Sequence, residues 1–477
     1  MRRACLLVLA LVACGDDGAN HPSDAPVGDV RPDALGGCAT PTGAGTMHTG
    51  VLAADEIWTA EGSPHLVTGT ITVKGGHTLT IEECAVVQIS AGQSIYVGSA
   101  SPSDGTGTLI AHGTAGSSPG DSFLRPVRIT SVSLTSYWGS LVVDATGLLD
   151  LDTVVVDRGG DPAVSAGGGG AIVARGDDNR LVPVRNIKAK NVLVAGSATY
   201  GINVRTSAGF TTDSGNIEIN TSGGSGVVSG GEDSHYAMYI ESPSIQTLPT
   251  SMTFQANNRD AVLAHDPFTL AVDERFPYIG VPYQLRGDFY MAPSTVSTIT
   301  LTIDPGVTIK LGGPLASAPT IKLGYGDTAA DTHAVRLVAA GTAAKPIKLT
   351  SGAATPAAGD WIGIDWQGGP ATGNTMSYVT TEYGGASAAT SGFGCGPSDN
   401  SALVIITDWR PDDAFITNST FKDSAGGGIV SGWKSDAAGP NLKTGNTFVN
   451  LQSACSVTQP RTANNMCPGN DSTPDCY

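Results

Sequence analysis

Short apolar runs alternate with polar positions along most of the chain. In "PHLVTGTITVKGGHTLTIEECAVVQIS" (64–90) and "LDLDTVVVDR" (149–158) a Leu, Ile or Val recurs at every second position. That is the period of a strand with one face turned to a core. Clusters of Gly, Pro, Asp and Asn interrupt these runs every ten residues or so. They read as turns between short strands. Few segments carry a helical repeat, so the pattern predicts an all-β chain.

The runs also repeat among themselves. "VLVAGSATYGINV" (192–204) and "IEINTSGGSGVV" (217–228) place Val194 over Ile219 and Gly201 over Gly226, both 25 residues apart. "TFQANNRDAVLA" (253–264) and "STFKDSAGGGIV" (419–430) share one shape: a β-branched or Phe run, an Asn/Asp corner, and a small-residue turn into another strand. A period of 20–30 residues marks a solenoid. Its coils stack at about 4.8 Å and bury together a face that none could bury alone.

A longer repeat lies over this one. "LIAHGTAGSSPGDSFLRPVRITS" (109–131) returns as "LVAAGTAAKPIKLTS" (337–351), and "YWGSLVVD" (137–144) as "DWIGIDWQ" (360–367). Ile81 and Ile303 are 222 residues apart, Pro126 and Pro346 220, and Trp138 and Trp361 223. The chain thus reads as two related units, 46–275 and 276–477. Its 477 residues exceed the ~250–300 at which one compact core stops growing, which suits a core extended along an axis.

The strings "LTIDPGVTIKLG" (301–312), "LVAAGTAAKPIKLTS" and "DWIGIDW" (360–366) resemble the coils of bacterial pectin-lyase-like surface proteins. The resemblance spans roughly residues 50–450 and implies a right-handed parallel β-helix, a single-stranded solenoid exported to the cell surface. Glu83-Cys84 stands where the family pattern has Pro-Gly, and the loop at 116–123 is inserted.

The chain begins "MRRACLLVLALVACGDDG". Arg2 and Arg3 precede an apolar stretch from Ala4 to Ala13, too short to span a ~30 Å hydrocarbon core, so 1–13 reads as a signal peptide. "LVAC" (11–14) resembles the lipobox of bacterial lipoproteins, which implies lipidation of Cys14 and a membrane partner through that anchor. Residues 14–45 then form the lipidated N-terminus and a Gly/Pro/Asp-rich tether, whose composition cannot offset its ordering entropy. Gly15 does not carry an acidic inner-membrane retention signal, so the outer membrane or cell surface is expected.

Cysteine usage fits an oxidising compartment. With Cys5 removed and Cys14 lipidated, Cys38, Cys84, Cys395, Cys455, Cys467 and Cys476 remain, enough for three bridges. Sequence order suggests Cys38–Cys84 at the N-terminal cap, with Cys395–Cys455 and Cys467–Cys476 closing the C-terminal one. The His residues are scattered and no CxxC occurs, so neither a metal nor a cofactor is expected. Acidic residues outnumber basic ones 43 to 26, for a formal charge of −17. That balance argues against a nucleic-acid partner.

Enzymes of this fold cleave acidic polysaccharides with paired carboxylates or with a cation and a Lys or Arg base. Asp144, Asp150, Asp152, Asp157 and Arg158 are the candidates for such chemistry. Asp150 and Asp152 alternate on one strand and should both face outward. The simpler reading is that these acids solvate the coil surface. "GDD" (176–178) and "PDD" (411–413) read as turn formers. In "DWIGIDW", Trp361 and Asp365 alternate with Ile362, Ile364 and Trp366, and Trp366 has apolar counterparts in the first unit, so it should point inward. Trp361 recurs as Trp138 and reads as packing. Otherwise Trp361, Tyr378 and Tyr383 would form a sugar-stacking shelf. Two functions are carried forward: a non-catalytic surface lipoprotein, structural or binding an extracellular polysaccharide or surface partner, and alternatively a divergent polysaccharide lyase or glycoside hydrolase.

Overall fold

In the strand His77–Ile81, Leu79 and Ile81 are buried while Thr78 and Thr80 stay half-buried. The same alternation repeats one turn later. A turn of the chain runs His77–Ile81, Val86–Ile89 and Ile95–Val97, and the next runs Gly107–His112, Val127–Ser131 and Leu141–Val143. Each strand lies parallel to its counterpart, with Leu79 paired to Leu109, Val87 to Ile129 and Ile95 to Leu141. This computed structural model describes residues 37–459, apart from 117–122, 165–168, 178–180, 225–232, 266–268, 296, 314–317, 325–332, 368–370, 389–400, 408 and 433–438. The segment 1–13 and Cys14 lie outside the described residues, which contain no α-helix. The architecture is a parallel β-solenoid.

Stacked inward residues make one continuous core, from Trp58 near the beginning to Val457 near the end. Leu109 stands on Leu149, and Leu149 on Ile187. Each fully buried Leu, Ile or Val contributes about 1.5–3 kcal/mol, and because they stack in register the gain recurs at every turn. Val194 does stand over Ile219. Gly201, by contrast, lies beside Ala237, whose carbonyl accepts its N–H at 2.8 Å. Gly226 lies outside the described residues.

Corners are made by residues in the left-handed region, which stack as the strands do. Gly147–Asp157 is one strand that serves two faces. Its first half pairs with Gly107–His112, its second half with Val127–Ser131, and Thr153 between them has φ 58°. Asn191 and Asn216 repeat that corner at φ 52°. They bond to each other across coils at 2.7 Å. Arg158, Gly196, Thr221 and Ala256 hold positive φ at the next corner.

The sheets change partners near residue 270. The third-face strands of the earlier turns, from Ile95–Val97 to Arg259–His265, continue without a break into Tyr283–Leu285, Thr308–Leu311, Ile347–Ser351 and Val379–Glu382. By sequence, however, Thr308–Leu311 corresponds to Val86–Ile89, which is a second-face strand. Two new sheets begin with Glu274–Phe276 and Phe289–Met291. The strand Thr308–Leu311 therefore stands one face further round than its sequence counterpart.

The N-terminal end of the core is closed by Trp58, which is 1% exposed. His48 lies on its ring at 4.1 Å, and the two imidazoles of His48 and His65 meet at 3.0 Å. Cys38 and Cys84 are disulfide-bonded, as expected. They fasten the last residues of the 14–45 segment to the body. Cys455 is also disulfide-bonded. Cys395, Cys467 and Cys476 lie outside the described residues.

Candidate functional site

The acids singled out for chemistry do not converge. Asp150 and Asp152 face outward on the first face, Asp157 ends the second, and Asp144 follows the third. Each bonds to a neighbouring coil. Asp144 receives both arms of Arg175 at 2.7 and 3.1 Å. Asp150 lies between His112 at 2.9 Å and the Lys188 ammonium at 3.0 Å. Asp152 accepts from Asn191 at 3.0 Å. Hydrogen bonding to Asp150 raises Lys188 above the ordinary lysine range. Asp150 and Asp152, two residues apart on a strand, are about 7 Å from each other, within reach of paired-acid chemistry, but both are engaged in these cross-coil bonds. Asp412 and Asp413 are exposed, outside any strand.

Asp157 belongs to a constellation that occurs twice. Arg128 approaches its carboxylate at 3.0 Å, the Thr130 hydroxyl donates to it, and the Trp138 indole N–H donates to its backbone carbonyl at 2.7 Å. The longer sequence repeat carries these residues to Lys348, Thr350, Glu382 and Trp361. There the Lys348 ammonium reaches Glu382 at 2.7 Å, Thr350 donates to it at 2.7 Å, and the Trp361 indole donates to the Glu382 carbonyl at 2.9 Å. The tryptophan is fully buried in both copies. Strand alternation explains the layout, since Arg128 and Thr130 are two apart and face out, with Ile129 between them in the core. Comparing the two units position by position would have found this constellation from sequence.

The second copy adds Lys422 from the next coil, whose ammonium is 2.7 Å from Glu382. Burial would raise the Glu382 carboxyl, but hydrogen bonds from Lys348, Lys422 and Thr350 outweigh it and hold the group below the usual carboxylate range. Hydrogen bonding to Glu382 in turn raises Lys422. Only 2% of the Glu382 side chain is exposed, against 47% for Lys348 and 34% for Lys422. Solvent meets cations there, with the acid beneath them.

The sugar-stacking shelf does not form. Trp361 is fully buried and cannot meet a ligand. The alternation expected through "DWIGIDW" fails at its start because the strand begins only at Ile364. Trp361 turns into the core, while Ile362 packs on an outer cluster containing Ala388 and Ile405. Trp366 does point inward. Tyr378 and Tyr383 flank the strand Val379–Glu382, both at positive φ. The four strand residues between them put the two rings about 16 Å apart, too far for one ring face.

A groove of about 540 Å³ lies beside the first copy of the constellation. It is lined by Cys38–Pro41 and Gly43 of the N-terminal segment and by Gln88, Arg128 and Thr130 of the stacked strands. Elsewhere the outer face carries a sealed network that sequence did not reveal. Tyr239 bonds Glu241 and His265 at 3.0 Å each, under the Arg205 guanidinium 4.1 Å from its ring. Tyr239 and Asn203 are 0% exposed, so they are closed to substrate. Among the described residues, no group of three His, Cys, Asp or Glu is placed to hold a metal ion. No protein-family model, curated protein or solved structure matches the chain.

Proposed function

We propose that this is an exported lipoprotein, anchored through Cys14 at the outer membrane or cell surface. Its body would be a right-handed, pectin-lyase-like β-helix of two related units that binds a polysaccharide or a neighbouring surface without cleaving it. The duplicated constellation carries this reading. In both copies the acid is held by a cation and a threonine hydroxyl, and what faces outward is a set of donors. An acid tied in this way positions cations. To act as a proton donor or nucleophile it would have to leave its partners.

The test uses the full chain, extracted in mild detergent. Wild-type protein should sediment with membranes and take up fatty-acid label, and Cys14→Ser should do neither. Equal labelling of both would overturn the anchor. On immobilised pectate, alginate, xylan and glucan the protein should be retained without releasing reducing ends or unsaturated products. Turnover abolished by Asp152→Ala or Asp157→Ala would replace binding with catalysis.

A further inference from the structure

The groove beside Cys84 is built onto one of two otherwise matching faces. In the second unit the turn after Ile303 has Gly306 at φ 89°, and in the first the matching position holds Cys84 at φ 61°. A non-glycine residue there costs on the order of 1 kcal/mol or more. That cysteine bonds Cys38, and Cys38–Pro41 with Gly43 then border the groove. The resulting volume, about 540 Å³, falls in the ~300–1,000 Å³ range of small-ligand sites.

Its chemistry differs from that of its counterpart. Arg128 is the one charged residue among the described lining residues, and Asp157 already faces it at 3.0 Å. Gln88 adds an amide and Thr130 a hydroxyl. Pro41, Pro64, Val132 and Leu134 supply apolar rims, with the Leu134 carbonyl held by the Arg158 guanidinium. The second unit has Lys310 where the first has Gln88, and Lys348 where it has Arg128. A planar guanidinium–carboxylate pair beside an amide and a hydroxyl offers donors and acceptors to adjacent ring hydroxyls, and the apolar rims suit C–H faces. A carboxylated or sulfated ligand would find no unmatched cation, on a chain of net charge −17.

We propose that this groove binds an uncharged glycan segment, with the disulfide-tied Cys38–Pro41 and Gly43 as its border. The assignment rests on the binding reading above.

The experiment is calorimetric titration of the full detergent-solubilised chain. The probes are neutral gluco-, xylo-, manno- and galacto-configured oligosaccharides, with oligogalacturonate as the charged one. Binding of at least one neutral probe is expected. Cys38→Ser combined with Cys84→Gly restores the glycine of the matching turn and should keep the β-type circular dichroism while weakening binding about tenfold or more. Gln88→Ala should weaken it several-fold, and Asp413→Ala, at an exposed position outside any strand, should leave it unchanged. Neutral binding that survives both groove variants would refute the site. Preferential oligogalacturonate binding lost in Lys348→Gln would move the ligand to the second unit, so that the groove assignment falls and the binding reading stands. If no probe binds the wild type, the groove assignment falls, while retention on the immobilised polymers decides the binding reading separately.

Discussion

Glu382 can be unpaired from either side, and the two ways of doing so should not be equivalent. Its carboxylate takes Lys348, Lys422 and Thr350 at 2.7 Å each, but it is 2% exposed while the lysines are 47% and 34% exposed. Glu382→Gln turns three charge-assisted bonds into neutral or missing ones and leaves the lysines free to rehydrate, at about 1–3 kcal/mol. Lys348→Gln with Lys422→Gln cuts the same ionic contacts but strands a carboxylate that water barely reaches. Leaving a buried charge unpaired costs about 3–5 kcal/mol. The lysine pair should therefore destabilise more at pH 7. The pH dependence sharpens the contrast. In the wild type the folded carboxyl lies below the usual range, so its contribution is full above the unfolded carboxylate range and is lost as pH falls through the folded one. Without the lysines, burial is opposed only by the Thr350 bond and lifts the carboxyl, so lowering the pH from 7 to 5 should recover part of the loss. Hydrogen exchange of the strand Val379–Glu382 reads local opening directly, which suits a repeat structure whose unfolding is not two-state. Glu382→Gln proving equal to or worse than the lysine pair at pH 7, or acidification bringing no recovery, would refute the reasoning.

The N-terminal cap should weaken in acid. Burial holds His48 and His65 below the ordinary 6.5, with neighbouring His65 adding to the effect at His48; the unfolded state therefore takes up protons first, and the protection of residues 46–58, corrected for the slower intrinsic exchange in acid, should fall as pH drops below that value, less so in His48→Gln. Breaking the Cys38–Cys84 bridge, which closes a separation of 46 residues, should cost about 4 kcal/mol on a chain-entropy basis, seen as a lower urea midpoint for the first turns. Trp138→Phe and Trp361→Phe should each cost about 1–3 kcal/mol, in similar measure, because each loses an indole bond to the carbonyl of the constellation's acid; a neutral effect at either, measured by thermal unfolding, would show that bond to be idle.

The solenoid was legible because its physics is local. Alternation identifies Leu79, Leu109 and Leu149 as inward, and the spacing of 25 residues puts Val194 on Ile219. Which sheet receives a given strand is not local. Nothing in "LTIDPGVTIKLG" distinguishes stacking on the second face from stacking on the third, and the structure takes the third. Alternation also loses meaning where the outer face is covered. Val142, Val173 and Leu263 point away from the core yet are at most 1% exposed, so their strands read as unbroken apolar runs. Trp361 packs in the core, as its recurrence as Trp138 indicates, and only the ring-stacking alternative fails; alternation could not decide between them because the residues before Ile364 are turn and not strand.

Stacking also governs how acids on such a surface should be read. Equivalent outward residues of adjacent coils lie about 4.8 Å apart, close enough that like charges would repel along the whole column. Acid beside cation or amide is the stable solution. Asp144 with Arg175, Asp150 with Lys188, Asp157 with Arg128 and Glu382 with Lys422 all follow it. An outward carboxylate in a solenoid is thus first a structural element, and agreement between the two units marks what the stack requires. Function is better sought where matching positions differ. Cys84 in place of Gly306, Gln88 in place of Lys310 and Arg158 in place of Tyr383 all cluster around one groove. At Cys84 the exchange works against backbone preference, a cost that the bridge to Cys38 offsets, and that bridge is what holds Ala39, Thr40 and Pro41 against the groove.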